Sequence, residues 1–382
     1  MLILLLDQIR ALGGDGLADL GPLRVLTYVT VRAAAALALA FAMSLLIGPR
    51  VIAALERIKA GQVIRTATRD GAIDLSAMHG GKAGTPTMGG LLIMFALVLP
   101  VLLFCRMTNL YVLLLLGMTF GFGTLGFWDD YLKISKRNHH GLSARGKLLI
   151  QGALALALAA TLTFGDWNIS YAQTGSNGYP FLLAPFFKNI YVPVGMFFIP
   201  YVIVVLLGTS NAVNLTDGLD GLAIGVSISS IAAFLIVAYL VTRADFSGYL
   251  FVPYIRGGDE IVVFLAALLG ASLGFLWFNA HPAQIFMGDT GSMALGGALG
   301  TAALLLKQEL LLLVIGGVFV IEALSVILQV GSYKMTGRRV LLMSPLHHHF
   351  ERAGLHESRI IIRFWVISWM LAVAGLAILK LR

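Results

Sequence analysis

The chain has 382 residues, of which 58% are hydrophobic and 12% are charged, and its formal net charge is +8. Soluble domains are typically about a quarter charged, so this composition excludes an ordinary water-soluble protein and indicates that much of the chain faces lipid. The positive charge is usual for a membrane protein with basic cytoplasmic loops, and it therefore does not indicate a nucleic-acid partner. The single cysteine, Cys105, excludes an intrachain disulfide bond.

Ten apolar windows follow an N-terminal segment, residues 1–23, that we expect to lie at the membrane interface. A helix needs roughly 20 apolar residues to cross a bilayer, and each window is close to that length. The windows cover residues 25–47, 87–106, 109–128, 147–164, 190–208, 219–241, 261–278, 291–306, 310–331 and 360–379. Runs of this length exclude a strand barrel, so the sequence predicts an all-α polytopic membrane protein with about ten transmembrane helices, forming one domain over residues 1–382.

The loops on the two sides of these spans differ in charge. Ten spans place both termini on one side, and the loops of the other side carry the larger share of lysine and arginine together with all eight histidines. The positive-inside rule makes that side cytoplasmic and both termini periplasmic. On the periplasmic side, residues 165–189 contain Asn177-Gly178 between alternating apolar segments, which predicts a short β-hairpin outside the membrane.

Two adjacent carboxylates end the third span. Asp129 and Asp130 fall at a predicted helix C-terminus, where the helix dipole disfavours negative charge, so helix capping does not explain them. They suit a hard cation such as Mg²⁺ or a base with a raised pKa, and Lys133 one turn later suits a phosphate. The alternative is a cluster of ion pairs at the surface.

Two further motifs place acids at the start of a span. Asp217 and Asp220 lie three residues apart beside Asn214, so they form either a ligand site or a helix cap. Asp289 opens the eighth span, where it either caps the helix or binds Mg²⁺ beside glycines that let a phosphate approach the backbone. Phe286 is either a core residue or a platform on which a base stacks.

Each of the remaining polar motifs has two possible interpretations, one functional and one structural. Lys82 and the helix N-terminus that follows it suit a phosphate as well as they suit a plain helix start. His347, His348 and His349 are consecutive, and consecutive side chains do not converge easily on one tetrahedral zinc ion. They are therefore donors to phosphate oxygens or part of a solvated loop. Glu322 lies inside the ninth span, and its role stays open.

Together these residues favour phosphate chemistry. Five aspartates, several lysines and the lack of a nucleophilic serine or cysteine motif in the sequence predict a membrane-embedded, Mg²⁺-dependent phosphotransferase that joins a soluble phosphorylated substrate to a lipid. A proton- or cation-coupled transporter is the rival class. A transporter would place its acids near the middle of the bilayer, whereas these acids lie at the ends of spans and only Glu322 lies deep.

Five motifs between residues 48 and 380 carry a family resemblance. They are KAGTPTMGG, FWDDYLK, NAVNLTDGLDGLA, NAHPAQIFMGDTGS and PLHHHFERAG, in chain order. They resemble motifs of the polyprenyl-phosphate N-acetylhexosamine-1-phosphate transferases. The triple histidine favours the muramoyl-pentapeptide branch of that family over its N-acetylglucosamine branch.

The resemblance implies a reaction, partners and a location. The reaction is Mg²⁺-dependent transfer of phospho-N-acetylmuramoyl-pentapeptide from UDP-N-acetylmuramoyl-pentapeptide to undecaprenyl phosphate, which gives lipid I and UMP as the first membrane step of peptidoglycan synthesis. The protein is then expected to be a homodimer in the bilayer of the bacterial inner membrane, with its active site facing the cytoplasm. We expect direct attack by the lipid phosphate, because a phosphate dianion is already nucleophilic near pH 7.

The resemblance also implies roles for individual residues. Asp289 is the expected Mg²⁺ ligand, with Asp220 as a second ligand. Asp129 is the expected base or phosphate-orienting acid, with Asp130 beside it, and His347 and His348 are expected to take part in catalysis. Phe286 is expected to stack on uracil. The expected substrate-binding residues are Lys82, Thr87, Lys133, Asn214, Asp217, Asp220, Asn279, Phe286 and His349.

Overall fold

The computed structural model describes Ile3 and residues 24–58, 84–136, 141–165, 169–170, 180–183, 187 and 191–381. Most of these residues are helical. The helices are α1 (Val29–Arg57), α2 (Gly90–Phe104), α3 (Leu110–Ser135), α4 (Ala144–Phe164), α5 (Phe198–Thr216), α6 (Leu222–Val241), α7 (Ala244–Leu250), α8 (Asp259–Asn279), α9 (Gly288–Leu305), α10 (Glu309–Ile315), α11 (Gly317–Thr336), α12 (Leu346–Arg352) and α13 (Glu357–Ile378). Apart from Ile3, the predicted interfacial segment lies outside the described residues.

Each of the ten predicted windows contains a helix, which confirms the polytopic helical class. Among the residues that the structure describes, eight helices are long and apolar enough to cross a membrane, namely α1, α3, α4, α5 with the turn before it, α6, α8, α11 and α13. In the second window, α2 has only 15 residues, and in the eighth, α9 is rich in glycine and carries Asp289 in its first turn. The count of ten spans and the periplasmic position of the termini therefore stay predictions.

The ninth window holds two helices instead of one. α10 ends at Ile315 and α11 begins at Gly317, with Gly316 between them at φ −89° and ψ 21°. Glycine has a low helix propensity because it loses the most backbone entropy on ordering, and two glycines in succession weaken the helix at this point. Hydropathy alone does not show such a break, since both glycines lie within a continuous apolar run.

The β-hairpin predicted across Asn177-Gly178 is wrong in its pairing. Strand β1 (Ile169–Ser170) pairs with β4 (Tyr254–Ile255), and β2 (Phe181–Leu183) pairs with β3 (Tyr191–Pro193), both antiparallel. Residues 177 and 178 themselves lie outside the described part of the chain. Alternating apolar residues mark a strand without naming its partner, which the packing of neighbouring loops decides.

Helices α6 and α8 form the centre of the bundle. In α8, 83% of the membrane-length window is buried inside the protein and in α6 72%, against 33% in α1 and α13. A small residue lets α8 approach α1 closely. A Cβ atom on Gly270 of α8 would overlap the carbonyl oxygen of Leu37 in α1. Lipid offers no hydrophobic driving force between helices, so close van der Waals packing of this kind holds them together.

A buried ion pair joins α1, α2 and α8 at one end of the bundle. The Arg32 guanidinium donates to Glu260 Oε1 at 2.7 Å and to the Phe104 carbonyl oxygen at 3.1 Å. The other carboxylate oxygen of Glu260 accepts the backbone N–H of Arg106 at 2.9 Å. Both side chains of the pair are only 1% exposed, so neither charge has water as an alternative partner.

We predict that Glu260→Gln lowers the thermal unfolding temperature of the purified protein in detergent. The substitution keeps the side chain's shape but removes the buried partner charge of Arg32, which then keeps only the partly exposed Asp259 at 3.5 Å. Breaking a buried pair outright costs about 3–5 kcal/mol, and we expect a fraction of that cost here. Asp245→Asn is the control, because it breaks the exposed pair between Arg243 and Asp245 and should leave the temperature unchanged. Equal unfolding temperatures for the two variants would contradict the role given to the buried pair.

Candidate active site

Three aspartates from two helices meet where α3 ends and α9 begins. Asp129 and Asp130 lie in the last two turns of α3, and Asp289 lies in the first turn of α9. The two helices approach closely at Gly126 of α3, which has no side chain. A Cβ atom there would overlap the carbonyl oxygen of Asp289. One carboxylate oxygen from each aspartate lies within 4.8 Å of the others. The sequence singled out all three acids but paired Asp289 with Asp220, which is not in this group.

Two lysines balance the charge of this cluster. The Lys133 ammonium lies 2.6 Å from Asp129 Oδ2, 3.1 Å from Asp289 Oδ2 and 3.6 Å from Asp130 Oδ1. The Lys147 ammonium, from the first turn of α4, lies 2.8 Å from Asp289 Oδ2. Lys133 was expected from the sequence, whereas Lys147 was not, because one lysine at the start of a span looks like an ordinary positive-inside charge.

Hydrogen bonds on the far side of each carboxylate set its direction. Asp130 Oδ2 accepts the backbone N–H of Thr290 at 3.0 Å and its hydroxyl at 2.9 Å. Asp129 Oδ1 accepts the backbone N–H of Leu142 at 2.7 Å. Because these oxygens are already bonded, Asp129 Oδ2 and Asp130 Oδ1 are the ones that face the Lys133 ammonium. The aspartates are therefore oriented before any substrate binds.

Asn214, in the last turn of α5, connects that helix to the same cluster. Its side-chain amide donates to Asp289 Oδ1 at 2.8 Å and to the Ser292 hydroxyl at 2.9 Å. Asp217 follows at the end of α5, and burial together with the charges of Asp289 and Asp130 holds its pKa well above its usual range. The structure thus places Asn214 in contact with Asp289, and Asp217 lies close enough to feel the charge of the cluster.

Asp220 lies in a second cluster with His281 and Glu357. Its Oδ2 lies 3.1 Å from His281 Nδ1 and accepts the backbone N–H of Ala283 at 3.2 Å, while Glu357 Oε1 accepts the backbone N–H of Asp220 at 3.1 Å. This set of donors also has the spacing of a cation site, but it does not include Asp289. The assignment of Asp220 as a second ligand of the same ion stays a prediction, and the geometry gives it no support.

Asn279 and Phe286, both predicted site residues, hold the loop before α9 in place. Asn279 donates its amide N–H to the Ile285 carbonyl oxygen at 2.8 Å and accepts the backbone N–H of Gly221 at 3.0 Å. The Phe286 N–H donates to the Pro86 carbonyl oxygen at 2.8 Å, which ties this loop to the segment before α2. Both side-chain groups of Asn279 are thereby engaged in structure, and its role toward substrate stays a prediction.

Thr87 also lies beside the aspartate cluster. Gly288 has a φ of +70°, and a Cβ atom there would come within 2.7 Å of Asp130 Oδ2 and 2.8 Å of the Thr87 hydroxyl. The glycine is therefore needed both for its backbone conformation and for the space between these two side chains. Lys82, five residues earlier, lies outside the described residues.

The three histidines point to different partners. His347 is fully buried, and its Nδ1 lies 3.3 Å from Glu322 Oε2. His348 Nδ1 lies 2.5 Å from Glu351 Oε2, and His349 Nδ1 accepts the backbone N–H of Leu342 at 3.1 Å. Burial lowers the pKa of the His347 imidazole, which favours its neutral form.

Glu322 in α11 positions the start of the histidine helix. Its two carboxylate oxygens accept the backbone N–H groups of Leu346 at 2.7 Å and His347 at 3.2 Å. The His347 ring in turn lies against the loop after α5, since a Cβ atom on Gly218 would overlap its Nε2. The intramembrane carboxylate that had no evident partner in the sequence therefore connects α11 to the polar loops.

Comparisons with known proteins identify the family of the chain. The sequence model described as glycosyl transferase family 4 matches residues 110–307, and a phospho-N-acetylmuramoyl-pentapeptide-transferase signature matches residues 82–94. A curated phospho-N-acetylmuramoyl-pentapeptide-transferase from Oleidesulfovibrio alaskensis is 49% identical over 366 residues, which are 96% of this chain and 97% of the relative. The chain belongs to the phospho-N-acetylmuramoyl-pentapeptide-transferase family. The family of this relative confirms the muramoyl-pentapeptide branch, which the triple histidine predicted. The three histidines themselves lie outside the residues matched by the broader family model.

We predict that Glu322→Ala lowers activity about tenfold or more by releasing His347, because small displacements of catalytic groups are costly. Glu322→Gln keeps an acceptor for one of the two N–H groups and should retain more activity. UMP release and thermal unfolding would be measured on both variants. Full activity in Glu322→Ala would show that the position of His347 does not matter for the reaction.

Proposed function

We propose that this protein transfers phospho-N-acetylmuramoyl-pentapeptide from UDP-N-acetylmuramoyl-pentapeptide to undecaprenyl phosphate in a Mg²⁺-dependent reaction, which yields lipid I and UMP. The cluster of Asp129, Asp130 and Asp289, with Lys133 and Lys147 among the carboxylates, carries this proposal. Phosphoryl transfer depends on positioning and charge neutralisation more than on covalent chemistry. Membership of the family supports the choice of both substrates.

The three aspartates fit a magnesium ion. Mg²⁺ prefers oxygen ligands at about 2.0–2.1 Å, so the oxygens around one ion lie up to about 4 Å apart. One oxygen from each of the three aspartates lies within 4.8 Å of the others, so small side-chain movements would let all three share an ion. Asp289, Asp129 and Asp130 would hold the ion. When bound, it would neutralise negative charge on the diphosphate of the donor substrate.

The proposed reaction forms one bond and breaks another at the same phosphorus atom. An oxygen of undecaprenyl phosphate attacks the β-phosphorus of the UDP-sugar, and the bond from that phosphorus to the bridging oxygen breaks. UMP leaves with the bridging oxygen, and the sugar stays on the transferred phosphate. The second pKa of a phosphate monoester is about 6, so the acceptor is mostly a dianion near pH 7 and needs no base to remove a proton.

The protein's own groups orient the two phosphates in this scheme. Lys133 and Lys147 form ion pairs with Asp129 and Asp289, and they would bind phosphate oxygens by exchanging these carboxylate partners when substrate and Mg²⁺ enter. Asp129 orients the acceptor phosphate and does not become phosphorylated. A phosphoenzyme trapped on Asp129 or Asp130 during turnover would refute direct attack.

The location and assembly belong to the same proposal. We place the site at the cytoplasmic face of the bacterial inner membrane, because the loops that carry it hold all eight histidines and the larger share of positive charge. A homodimer is the assembly expected for the family. The transporter alternative loses support, since the clustered aspartates lie at helix ends and Glu322, the deep acid, binds backbone N–H groups.

The test is UMP release by the purified protein in detergent with undecaprenyl phosphate and UDP-N-acetylmuramoyl-pentapeptide, with Mg²⁺ or with a chelator. UDP-N-acetylglucosamine runs in parallel. We expect Mg²⁺-dependent release with the muramoyl substrate alone. Release with only the glucosamine substrate would move the protein to the other branch, and no release with either substrate from folded protein would reject the proposed activity.

We predict that Asp289→Asn keeps the fold and lowers UMP release about a hundredfold or more, because it removes a charge from the expected metal site at the point where transition-state charge is balanced. The same variant should lose any Mg²⁺-dependent rise in thermal unfolding temperature. Asp245→Asn, an exposed and distant change, serves as the matched control. Near-normal turnover in Asp289→Asn would remove Asp289 from the metal site.

A further inference from the structure

The loop between α5 and α6, residues 217–221, carries two of the predicted substrate-binding residues. Asp217 follows the last residue of α5, Asp220 lies three residues later, and Gly221 precedes α6 with a φ of +75°. Because this α5–α6 loop is short, its backbone conformation decides where both carboxylates point. The groups that hold its backbone therefore decide whether Asp217 and Asp220 are in place before a substrate arrives.

Gly221 is hydrogen-bonded on both sides by side chains from other helices. Its backbone N–H donates to Asn279 Oδ1 of α8 at 3.0 Å, and its carbonyl oxygen accepts the indole N–H of Trp365 in α13 at 3.1 Å. Its φ lies in the left-handed region, which glycine adopts readily and residues with a side chain do not. An uncommon backbone conformation is thus fixed by two hydrogen bonds from outside the loop.

A second side chain of α13 holds the residue before Gly221. Glu357 Oε1 accepts the backbone N–H of Asp220 at 3.1 Å, and Glu357 Oε2 lies 3.8 Å from His281 Nδ1. The same histidine nitrogen lies 3.1 Å from Asp220 Oδ2. The backbone of Asp220 is therefore tied to α13 directly, and its side chain is tied to α13 through His281.

The Trp365 ring lies directly on the first turn of α6. A Cβ atom on Gly225 would overlap the indole Nε1, so the glycine leaves the space that the ring occupies. The Gly221 carbonyl oxygen also accepts the Gly225 N–H at 3.0 Å, which begins the hydrogen bonding of α6. The indole thus fixes the point at which the loop ends and the helix starts.

We propose that Trp365 and Glu357 are positioning residues, which hold the α5–α6 loop in the conformation that binds the nucleotide part of the donor substrate. This inference rests on the proposed function, because it takes a uridine diphosphate-linked sugar as the ligand of Asp217 and Asp220. Neither Trp365 nor Glu357 needs to touch the substrate in this role. The last helix of the chain would thus set the affinity of a loop that lies 137 to 144 residues earlier.

The two ties act by lowering the cost of ordering the loop. A loop that becomes fixed only when its ligand binds uses part of the interaction free energy for that ordering, whereas a preorganised loop does not. The apparent dissociation constant rises as the binding-competent conformation becomes rarer. Loosening the loop should therefore weaken nucleotide binding and leave the chemical step at the three clustered aspartates largely unchanged.

Two tryptophans on α13 offer a matched pair of substitutions. Trp365→Phe removes the indole N–H and keeps an aromatic ring, and Trp369→Phe makes the same change one turn later at a side chain that is 48% exposed. We expect the Kd for UMP, measured by titration calorimetry in detergent with Mg²⁺, to rise about three- to tenfold in Trp365→Phe, the range that one hydrogen bond accounts for. KM for UDP-N-acetylmuramoyl-pentapeptide should rise with it, kcat should change less, and Trp369→Phe should match the unaltered protein.

Glu357 gives an independent test with a conservative rescue. Glu357→Ala removes the acceptor of the Asp220 N–H and should also raise the Kd for UMP. Glu357→Gln keeps an oxygen acceptor at the same place and should restore most of the affinity. Equal losses of affinity in the two variants would show that Glu357 does not act through the Asp220 N–H, and its assignment as a positioning residue would fail.

Hydrogen exchange distinguishes positioning from a general loss of stability. In Trp365→Phe without ligand, the backbone amides of residues 217–225 should exchange faster than in Trp369→Phe, and saturating UMP should restore their protection. A lower thermal unfolding temperature with no change in the Kd or in this exchange would reduce Trp365 to a packing role and overturn the proposal.

The unaltered protein separates this inference from the function on which it rests. If it binds UMP and releases UMP from the muramoyl substrate, yet Trp365→Phe binds UMP as Trp369→Phe does, the positioning inference fails alone. If the unaltered protein releases no UMP, the proposed function itself fails.

Discussion

Charge neutralisation inside a lipid-facing bundle is the constraint on which this site depends. Three aspartates gathered at one point would repel one another, and their burial would favour protonation. Lys133 and Lys147 counter both effects, because they place two positive charges among the carboxylates. Hydrogen bonds from Thr290 and Leu142 use the opposite oxygens of Asp130 and Asp129, so the remaining oxygens of these two aspartates face the Lys133 ammonium.

The residues that carry the chemistry were predictable because acids are conspicuous in an apolar chain. Asp129, Asp130 and Asp289 stand at the ends of predicted spans, and the structure brings them together. Their partners were less visible. Lys147 resembles any positive charge at a span start, and the groups bound to Glu322 come from a loop 24 residues later in the chain, which no local pattern identifies.

In the fold, too, the features set by local sequence were predictable, and those set by contacts between distant segments were not. Hydropathy located a helix in every predicted window, because the length of an apolar run is a local property. The pairing of β1 with β4 joins residues that are far apart in the chain, and the break at Gly316 lies within a continuous apolar run. The contacts of Asp220 in the site were equally hard to predict, because its partners His281 and Glu357 come from two other segments of the chain.

The buried pair of Arg32 and Glu260 constrains the order in which the bundle assembles. The two residues are 228 positions apart, and at roughly 5–20 residues per second a ribosome needs roughly 10–45 s to synthesise that length. Until Glu260 emerges, the Arg32 side chain must reach water or lipid head groups, as arginines near helix ends do. The charge pair of α1 is therefore completed only after α8 has been made.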